Sequence, residues 1–301
     1  MKKKLLSIIT AAAMTAALLA GCGAAGAAQE PAAETTEPAE QPVKQEQPAE
    51  EEPEAAEPEA PEEEAAEEAG ISGELMIAAA ASLENCLTNE VIPLFNEKYP
   101  DINVTGTYDS SGKLQTQIEE GAPADVFFSA STKQTDALAE EGLIDQADVV
   151  NLLENKIVLI VPEGTEADYK EFTDITKAKA VAIGDPESVP AGQYAQEALT
   201  NLGIWEEVLA KASLGTNVTE VLNWVVEGSA DAGIVYATDA AQTQKVVIIG
   251  TAPADSVKPA IYPVAIIKDS PNPEAAKAFA EFLQTPEIIK VFEANGFTSA
   301  L

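Results

Sequence analysis

The segment Pro190-Ala191-Gly192 could bind an anion without using a charged side chain. It follows an apolar run at 180–183 and a turn rich in Gly and Pro, and Pro suits the first position of a helix. The first N–H groups of a helix have no acceptor within the helix, and the helix dipole adds partial positive charge there. The sequence therefore predicts that the backbone near Ala191 can bind an anion.

Three further segments place a hydroxyl or a backbone N–H where a strand or loop passes into a predicted helix: Ser82, Ser110 with Ser111, and Asn217 with Val218. Tyr236 adds a phenol at the end of a predicted strand. Taken singly, the serines also fit plain helix caps and Tyr236 also fits a core position. As a set they offer neutral donors and no cation, which suits a small, fully ionised oxyanion that only accepts hydrogen bonds.

The elements that would carry these residues alternate as in an α/β protein. Apolar runs predict strands at 74–81, 103–108, 124–128, 156–161, 180–183, 232–236, 245–249 and 262–267. Amphipathic stretches between the early strands predict a mainly parallel sheet with helices on both faces, and a second unit repeats the plan. Pro93 lies within the first helical pattern and should kink or shorten that helix.

We predict two lobes, with lobe I at 72–156 plus about 259–301 and lobe II at about 157–258. In open α/β sheets, ligands bind beyond the carboxyl ends of strands. Two lobes that face each other would therefore bring the four helix starts and Tyr236 together across a cleft.

The composition excludes several function classes. The 301 residues include 17 Lys and Arg against 51 Asp and Glu, a formal charge of −34, which argues against binding nucleic acid. There is no His, so the usual general base of hydrolases and the commonest transition-metal ligand are missing. An envelope enzyme with Ser82 or Cys86 as nucleophile is the alternative, but no Ser-x-x-Lys pattern follows Ser82. We therefore predict a binding protein without catalytic residues.

The N-terminus resembles a bacterial lipoprotein signal. Three Lys at 2–4 precede an apolar stretch at 5–19, which ends in Leu19-Ala-Gly-Cys22. This pattern predicts a signal peptide at 1–21 and lipidation of Cys22, which would anchor the chain to the outer face of the bacterial cell membrane. A plain secretory signal with an incidental Cys is the alternative.

An acidic segment at 22–71 follows, rich in Ala, Glu and Pro. Residues 23–70 contain sixteen Glu and one Lys, and almost no large apolar side chain. Such a composition cannot bury enough surface to offset the loss of chain entropy, so it predicts a disordered tether. An acidic binding module is the alternative.

Short motifs between about 74 and 298 resemble a known family. They are AAASL at 79–83, GAPAD at 121–125, VAIGDPE at 181–187, VPAG at 189–192, GIVY at 233–236, YPV at 262–264 and GFT at 296–298. They are similar to the periplasmic molybdate-binding proteins of ABC importers, which have a two-lobed type II solute-binding fold. The resemblance implies a monomer that captures molybdate or tungstate and delivers it to a membrane permease with ATPase subunits. It implies no cofactor, and a metal only as part of the oxyanion.

The resemblance also implies which residues hold the ligand: the hydroxyls of Ser82 and Ser111, the N–H groups of Ala191 and Val218, and the phenol of Tyr236. Gly112 stands where many relatives have another Ser, which leaves the second hydroxyl open between Ser110 and Ser111. Sulfate or phosphate is the alternative ligand. Phosphate would favour a buried carboxylate acceptor, for which Asp185 and Asp239 are the nearest candidates, although both also fit structural roles.

Overall fold

The structure is a computed structural model that describes residues 70–301. The predicted signal peptide, Cys22 and all but the last two residues of the predicted tether lie outside these residues. Within the described part, none of the helices combines the length and the apolar character that a membrane span needs.

The described residues form eleven strands in two sheets. The strands are β1 Gly73–Ala80, β2 Ile102–Asp109, β3 Val126–Phe128, β4 Val150–Asn155, β5 Ile157–Pro162, β6 Val181–Gly184, β7 Ala212–Gly215, β8 Ala232–Tyr236, β9 Val246–Thr251, β10 Ala260–Ile266 and β11 Thr298–Ser299. One sheet has the order β11-β4-β10-β3-β1-β2, and the other has the order β7-β6-β8-β5-β9.

Helical segments connect these strands within residues 70–301. The first, α1, combines a 3₁₀ turn Ala81–Leu83, an α turn Glu84–Cys86, a π turn Leu87–Val91 and an α-helical part Ile92–Lys98. The others are α2 Ser111–Glu119, α3 Thr132–Glu140, α4 Pro190–Asn201, α5 Trp205–Leu209, α6 Val218–Val226, α7 Ala237–Ala241, α8 Pro273–Leu283 and α9 Pro286–Ala294. Short 3₁₀ turns lie at Gln146–Asp148, Glu166–Asp168 and Phe172–Lys177. The predicted two-lobed α/β architecture is thereby confirmed.

Both sheets are mixed, which corrects the expectation of mainly parallel sheets. In the first sheet β1 pairs in parallel with β2 and β3, but β10 runs antiparallel to β3 and β4. In the second sheet β6 pairs in parallel with β7 and β8, but β5 runs antiparallel to β8 and β9. The reason is that the chain passes from one sheet to the other along β4–β5 and returns along β9–β10, so the crossing strands must run in opposite directions.

The first crossing is short, because only Lys156 separates β4 from β5. The sheet memberships support the lobe boundaries predicted above, which we keep as a proposal.

Helix α1 continues past Pro93, so Pro93 does not shorten it as one form of the prediction had it. The π turn Leu87–Val91 comes just before Pro93, which lies in the first turn of the α-helical part. Pro lacks a backbone N–H and its ring crowds the preceding turn, so a locally wider helix accommodates it. The helix then continues, and its buried Phe95 packs edge-on against Phe279 with ring centroids 5.0 Å apart.

Candidate functional site

A small cavity lies where the two lobes meet, and all five predicted oxyanion-binding residues line it. Its walls are Ala80, Ala81, Ser82, Asp109, Ser110, Ser111, Ala130, Val189, Pro190, Ala191, Val218 and Tyr236. Lys and Arg are absent among these described lining residues, and Asp109 supplies the charge. The helix starts and strand ends that carry the predicted residues therefore converge, as the sequence pattern led us to expect.

Ser82 belongs to the 3₁₀ turn that follows β1, and its side chain is 2 % exposed. The residue that precedes the turn is Ala80, and no side chain caps the turn. The Ser82 hydroxyl instead lies 2.9 Å from the Tyr262 hydroxyl. Ser82 therefore does not act as a helix cap in this structure.

Ser110 and Ser111 lie at the start of α2 and are both buried. Ser111 Oγ accepts the N–H of Ala130 at 2.9 Å, so its own proton remains available for a ligand. Ser110 is the N-cap residue but makes no side-chain cap hydrogen bond, and its buried Oγ has no partner within residues 70–301. A buried hydroxyl without a partner is costly, so this atom also points to a bound acceptor.

Ala191 is the second residue of α4, where the first-turn N–H groups have no acceptor within the helix. The end of β6 fixes the position of this helix start. A side chain at Gly192 would place its Cβ only 2.0 Å from the carbonyl oxygen of Gly184, so only glycine permits this contact. Ala191 therefore reaches the cavity because the helix start packs directly on the strand.

Val218 is the first residue of α6, whose N-cap is Asn217. The Asn217 side chain accepts the N–H of Glu220 at 2.9 Å, which satisfies one first-turn donor and leaves the N–H of Val218 outside that cap. The amide nitrogen of Asn217 also donates to Asp109 Oδ1 at 3.3 Å, across the cleft.

Tyr236 ends β8 and is 1 % exposed. Burial, followed by the neighbouring Tyr262 phenol, raises the pKa of Tyr236 well above its usual value, so the hydroxyl keeps its proton. That hydroxyl donates to the carbonyl oxygen of Ala130 at a long 3.4 Å. The Tyr236 phenol is thus protonated at neutral pH and makes only one long hydrogen bond, so it can donate to an anion at the cavity wall.

Sequence reasoning missed three residues of this site. Asp109 borders the cavity, and its carboxylate accepts the N–H of Ser110 at 2.7 Å and pairs with Lys113 at 3.3 Å. Tyr262 supports Ser82 from behind, and Ala130 contacts both Ser111 and Tyr236. The position of Asp109 at a strand end, just before two serines, was a signal that could have identified it.

The two carboxylates considered for phosphate do not line the cavity. Asp185 accepts the N–H of Glu187 at 3.0 Å within its own turn. Asp239 accepts the N–H of Tyr236 at 3.0 Å, and burial raises the pKa of its carboxyl to about 7. Both therefore have structural roles in this arrangement. Within residues 70–301, no group of three or more His, Cys, Asp or Glu side chains is placed to hold a metal ion.

Comparison with known proteins agrees with this architecture. The family model for bacterial extracellular solute-binding proteins matches residues 75–298. YvgL of Bacillus subtilis (strain 168), named as a substrate-binding lipoprotein of an ABC transporter, is 42% identical over 75% of this chain and 86% of its own. The molybdate-binding protein ModA of Escherichia coli (strain K12) is 36% identical over 75% of this chain and 89% of its own.

A solved structure shares the same fold. The substrate-binding domain from Clostridium difficile, attributed to a molybdenum ABC transporter, superposes with a TM-score of 0.60. It is 38% identical and covers 76% of this chain and 99% of that domain. The range of the family match, residues 75–298, includes every residue of the cavity wall. The chain belongs to the family of bacterial extracellular solute-binding proteins and has the type II fold of that family.

Proposed function

We propose that this protein captures molybdate outside the cytoplasmic membrane and delivers it to the permease and ATPase subunits of an ABC importer. The observation that carries the proposal is the interlobe cavity, whose predicted ligand groups are neutral donors from both lobes. The names of ModA and of the Clostridium difficile domain support molybdate as the ion. Tungstate has the same charge and shape, so we include it as a ligand.

The predicted ligand residues are Ser82, Ser111, Ala191, Val218 and Tyr236, and we add the Ser110 hydroxyl. Neutral donors suit a dianion here because a buried countercharge would add a desolvation cost. Each hydrogen bond to the charged ligand contributes about 1.5–3 kcal/mol. Asp109 adds a negative charge at the cavity wall, but its contacts with Lys113 and with the N–H of Ser110 offset that charge.

A non-enzymatic role fits the two candidate nucleophiles. Burial raises the pKa of the Cys86 thiol to about 12, so the reactive thiolate does not form near neutral pH. The hydroxyl of Ser82 lies against a phenol, which stays protonated and is no general base. The named relatives are binding proteins.

Calorimetric titration of residues 70–301 with molybdate, tungstate, sulfate and phosphate tests the function. We expect tight binding of molybdate and tungstate by the wild type. Ser82→Ala and Ser111→Ala should each weaken binding about tenfold or more, because 1.4 kcal/mol corresponds to tenfold. Ser256→Ala is the matched control, since that buried hydroxyl donates to Pro253 in a loop away from the cavity walls. Unchanged affinity in the Ser82→Ala/Ser111→Ala double variant would refute the site.

We further propose that Cys22 is lipidated and that the acidic segment at 22–71 tethers the binding domain to the outer face of the membrane. The motif Leu19-Ala-Gly-Cys22 and the lipoprotein name of YvgL support this. Cys22→Ala in the full chain should shift the protein from the membrane fraction to the soluble fraction. A variant that stays membrane-bound after a high-salt wash would contradict the anchor.

A further inference from the structure

The hydroxyl of Ser82 is connected to a buried polar chain that leads away from the cavity. Tyr262, on β10, is fully buried and its hydroxyl lies 2.9 Å from Ser82 Oγ. Asn155, at the end of β4, is 4 % exposed, and its amide nitrogen lies 3.3 Å from the same phenol oxygen. The three groups thus form a hydrogen-bonded series from the crossing between the lobes to the cavity wall.

The orientation of the Asn155 amide is set by its other contacts. The N–H of Lys156 donates to Asn155 Oδ1 at 2.8 Å, so the amide oxygen is already engaged. The amide nitrogen donates one proton to Thr238 Oγ1 at 2.8 Å and the other to Tyr262. Asn155 therefore acts as a donor toward the phenol.

The number of protons available decides which hydroxyl donates in the hydrogen bond between Tyr262 and Ser82. The Tyr262 hydroxyl has one proton, and it already accepts from Asn155. If it donates that proton to Ser82, both of its hydrogen bonds are made and Ser82 keeps its own proton for the cavity. The opposite direction would withdraw the Ser82 proton from the cavity and leave the Tyr262 proton only the neighbouring Tyr236 hydroxyl, which itself donates to the carbonyl oxygen of Ala130.

We propose that Tyr262 and Asn155 are positioning residues that commit the Ser82 hydroxyl to donate into the cavity. This inference rests on the proposed oxyanion-binding function and deepens it. A hydroxyl committed as a donor favours a fully ionised oxyanion, because an ion that carries its own proton would need an acceptor there. Neither positioning residue lines the cavity, so both act through Ser82.

A double-mutant cycle between Tyr262→Phe and Ser82→Ala tests this relay from Asn155 through Tyr262 to Ser82, with molybdate affinity measured by calorimetry in the full chain. Tyr262→Phe should weaken binding about three- to tenfold in the wild type, as expected for one hydrogen bond, and less than about twofold in the Ser82→Ala background. Tyr169→Phe is the control, because that phenol lies outside the relay and the cavity walls. A purely structural effect of Tyr262→Phe would be equal in both backgrounds, and that result would overturn the proposal.

Asn155→Asp provides a second cycle that remains informative if Tyr262→Phe fails to fold. The carboxylate keeps the acceptor for Lys156 but replaces the donor toward Tyr262 with an acceptor, which reverses the relay. Its cost in the Ser82→Ala background measures the effects that do not pass through Ser82, namely charge repulsion and the lost donor to Thr238. An excess loss of at least about threefold with Ser82 present therefore supports the relay. Equal losses in both backgrounds would overturn it.

The wild-type titration separates this proposal from the function on which it rests. If the wild type binds sulfate instead of molybdate, the proposed ligand is wrong and the same cycles are run with sulfate. If the wild type binds no oxyanion, both proposals fail.

Discussion

Gly112 offers a test of whether the lobes must approach closely to hold the ligand. Its N–H donates to the carbonyl oxygen of Ser188 on the opposite lobe at 3.0 Å. A Cβ at position 112 would lie 2.4 Å from that oxygen and 2.8 Å from Ser188 Cα. Both are backbone atoms, so Gly112→Ala can be accommodated only if the lobes move apart.

The size of the effect follows from these distances. Ordinary contact needs about 3.4 Å, so the lobes must separate by about 1 Å, which takes the 112–188 hydrogen bond out of range. Losing this bond costs about 1 kcal/mol. Because Gly112 follows Ser111 directly, weaker ligand contacts across the wider cleft should add about 1–2 kcal/mol. Together these losses come to about 2–3 kcal/mol, so we expect molybdate binding to weaken by about 30- to 150-fold.

Calorimetry and thermal unfolding together measure this prediction. We expect the ligand-free lobes to open, because a ligand that contacts both lobes favours the closed state. The clash would then arise only on closure, so the melting temperature of ligand-free Gly112→Ala should match that of the wild type. The rise in melting temperature on adding molybdate should shrink in the variant, because a ligand stabilises in proportion to its affinity. Wild-type affinity in Gly112→Ala would refute the reasoning, since the lobes would then bind the ligand without this contact.

Two further predictions concern buried titratable groups. Burial raises the pKa of Asp239 from 3.8 in the unfolded chain to about 7 in the folded protein. Folding therefore favours the protonated carboxyl, and the free energy of unfolding falls as the pH rises between about 4 and 7. Asp239→Asn keeps an acceptor for the N–H of Tyr236 but cannot ionise. In urea unfolding, the free energy of unfolding of the variant should therefore decline less steeply with pH than that of the wild type, by about 1.4 kcal/mol per pH unit. Cys86, 3 % exposed and with a pKa of about 12, should resist a thiol reagent in the folded Cys22→Ala chain and react after unfolding; rapid reaction of the native protein would contradict its burial.

The sequence was sufficient for the parts of this fold that depend on local pattern. Pro at the start of α4, α8 and α9 marks helix starts that the structure contains. The apolar run at 156–161 corresponds to β5, and the residues expected at the cleft share one cavity because each follows a strand or begins a helix. Their role in holding a ligand stays a prediction.

Features that depend on contacts between residues far apart in the chain could not be predicted from the sequence. Strand β4, with the sequence VNLLEN, mixes polar and apolar residues, and its pairing with β10 joins segments more than a hundred residues apart. Tyr262 lies in a motif typical of a core strand, and its contact with Ser82 spans 180 residues. Local spacing carries no information about such pairs, so the relay and the mixed sheets became visible only in three dimensions.

The position of the bound metal atom tests the central claim most directly. Crystals of residues 70–301 grown with molybdate can be measured at the molybdenum absorption edge, and the anomalous signal locates the ion without assumptions about the protein. We predict one strong peak in the interlobe cavity, with ligand oxygens in hydrogen-bond range of the hydroxyls of Ser82 and Ser111 and of the N–H groups of Ala191 and Val218. A peak elsewhere, or an empty cavity at saturating molybdate, would contradict the account.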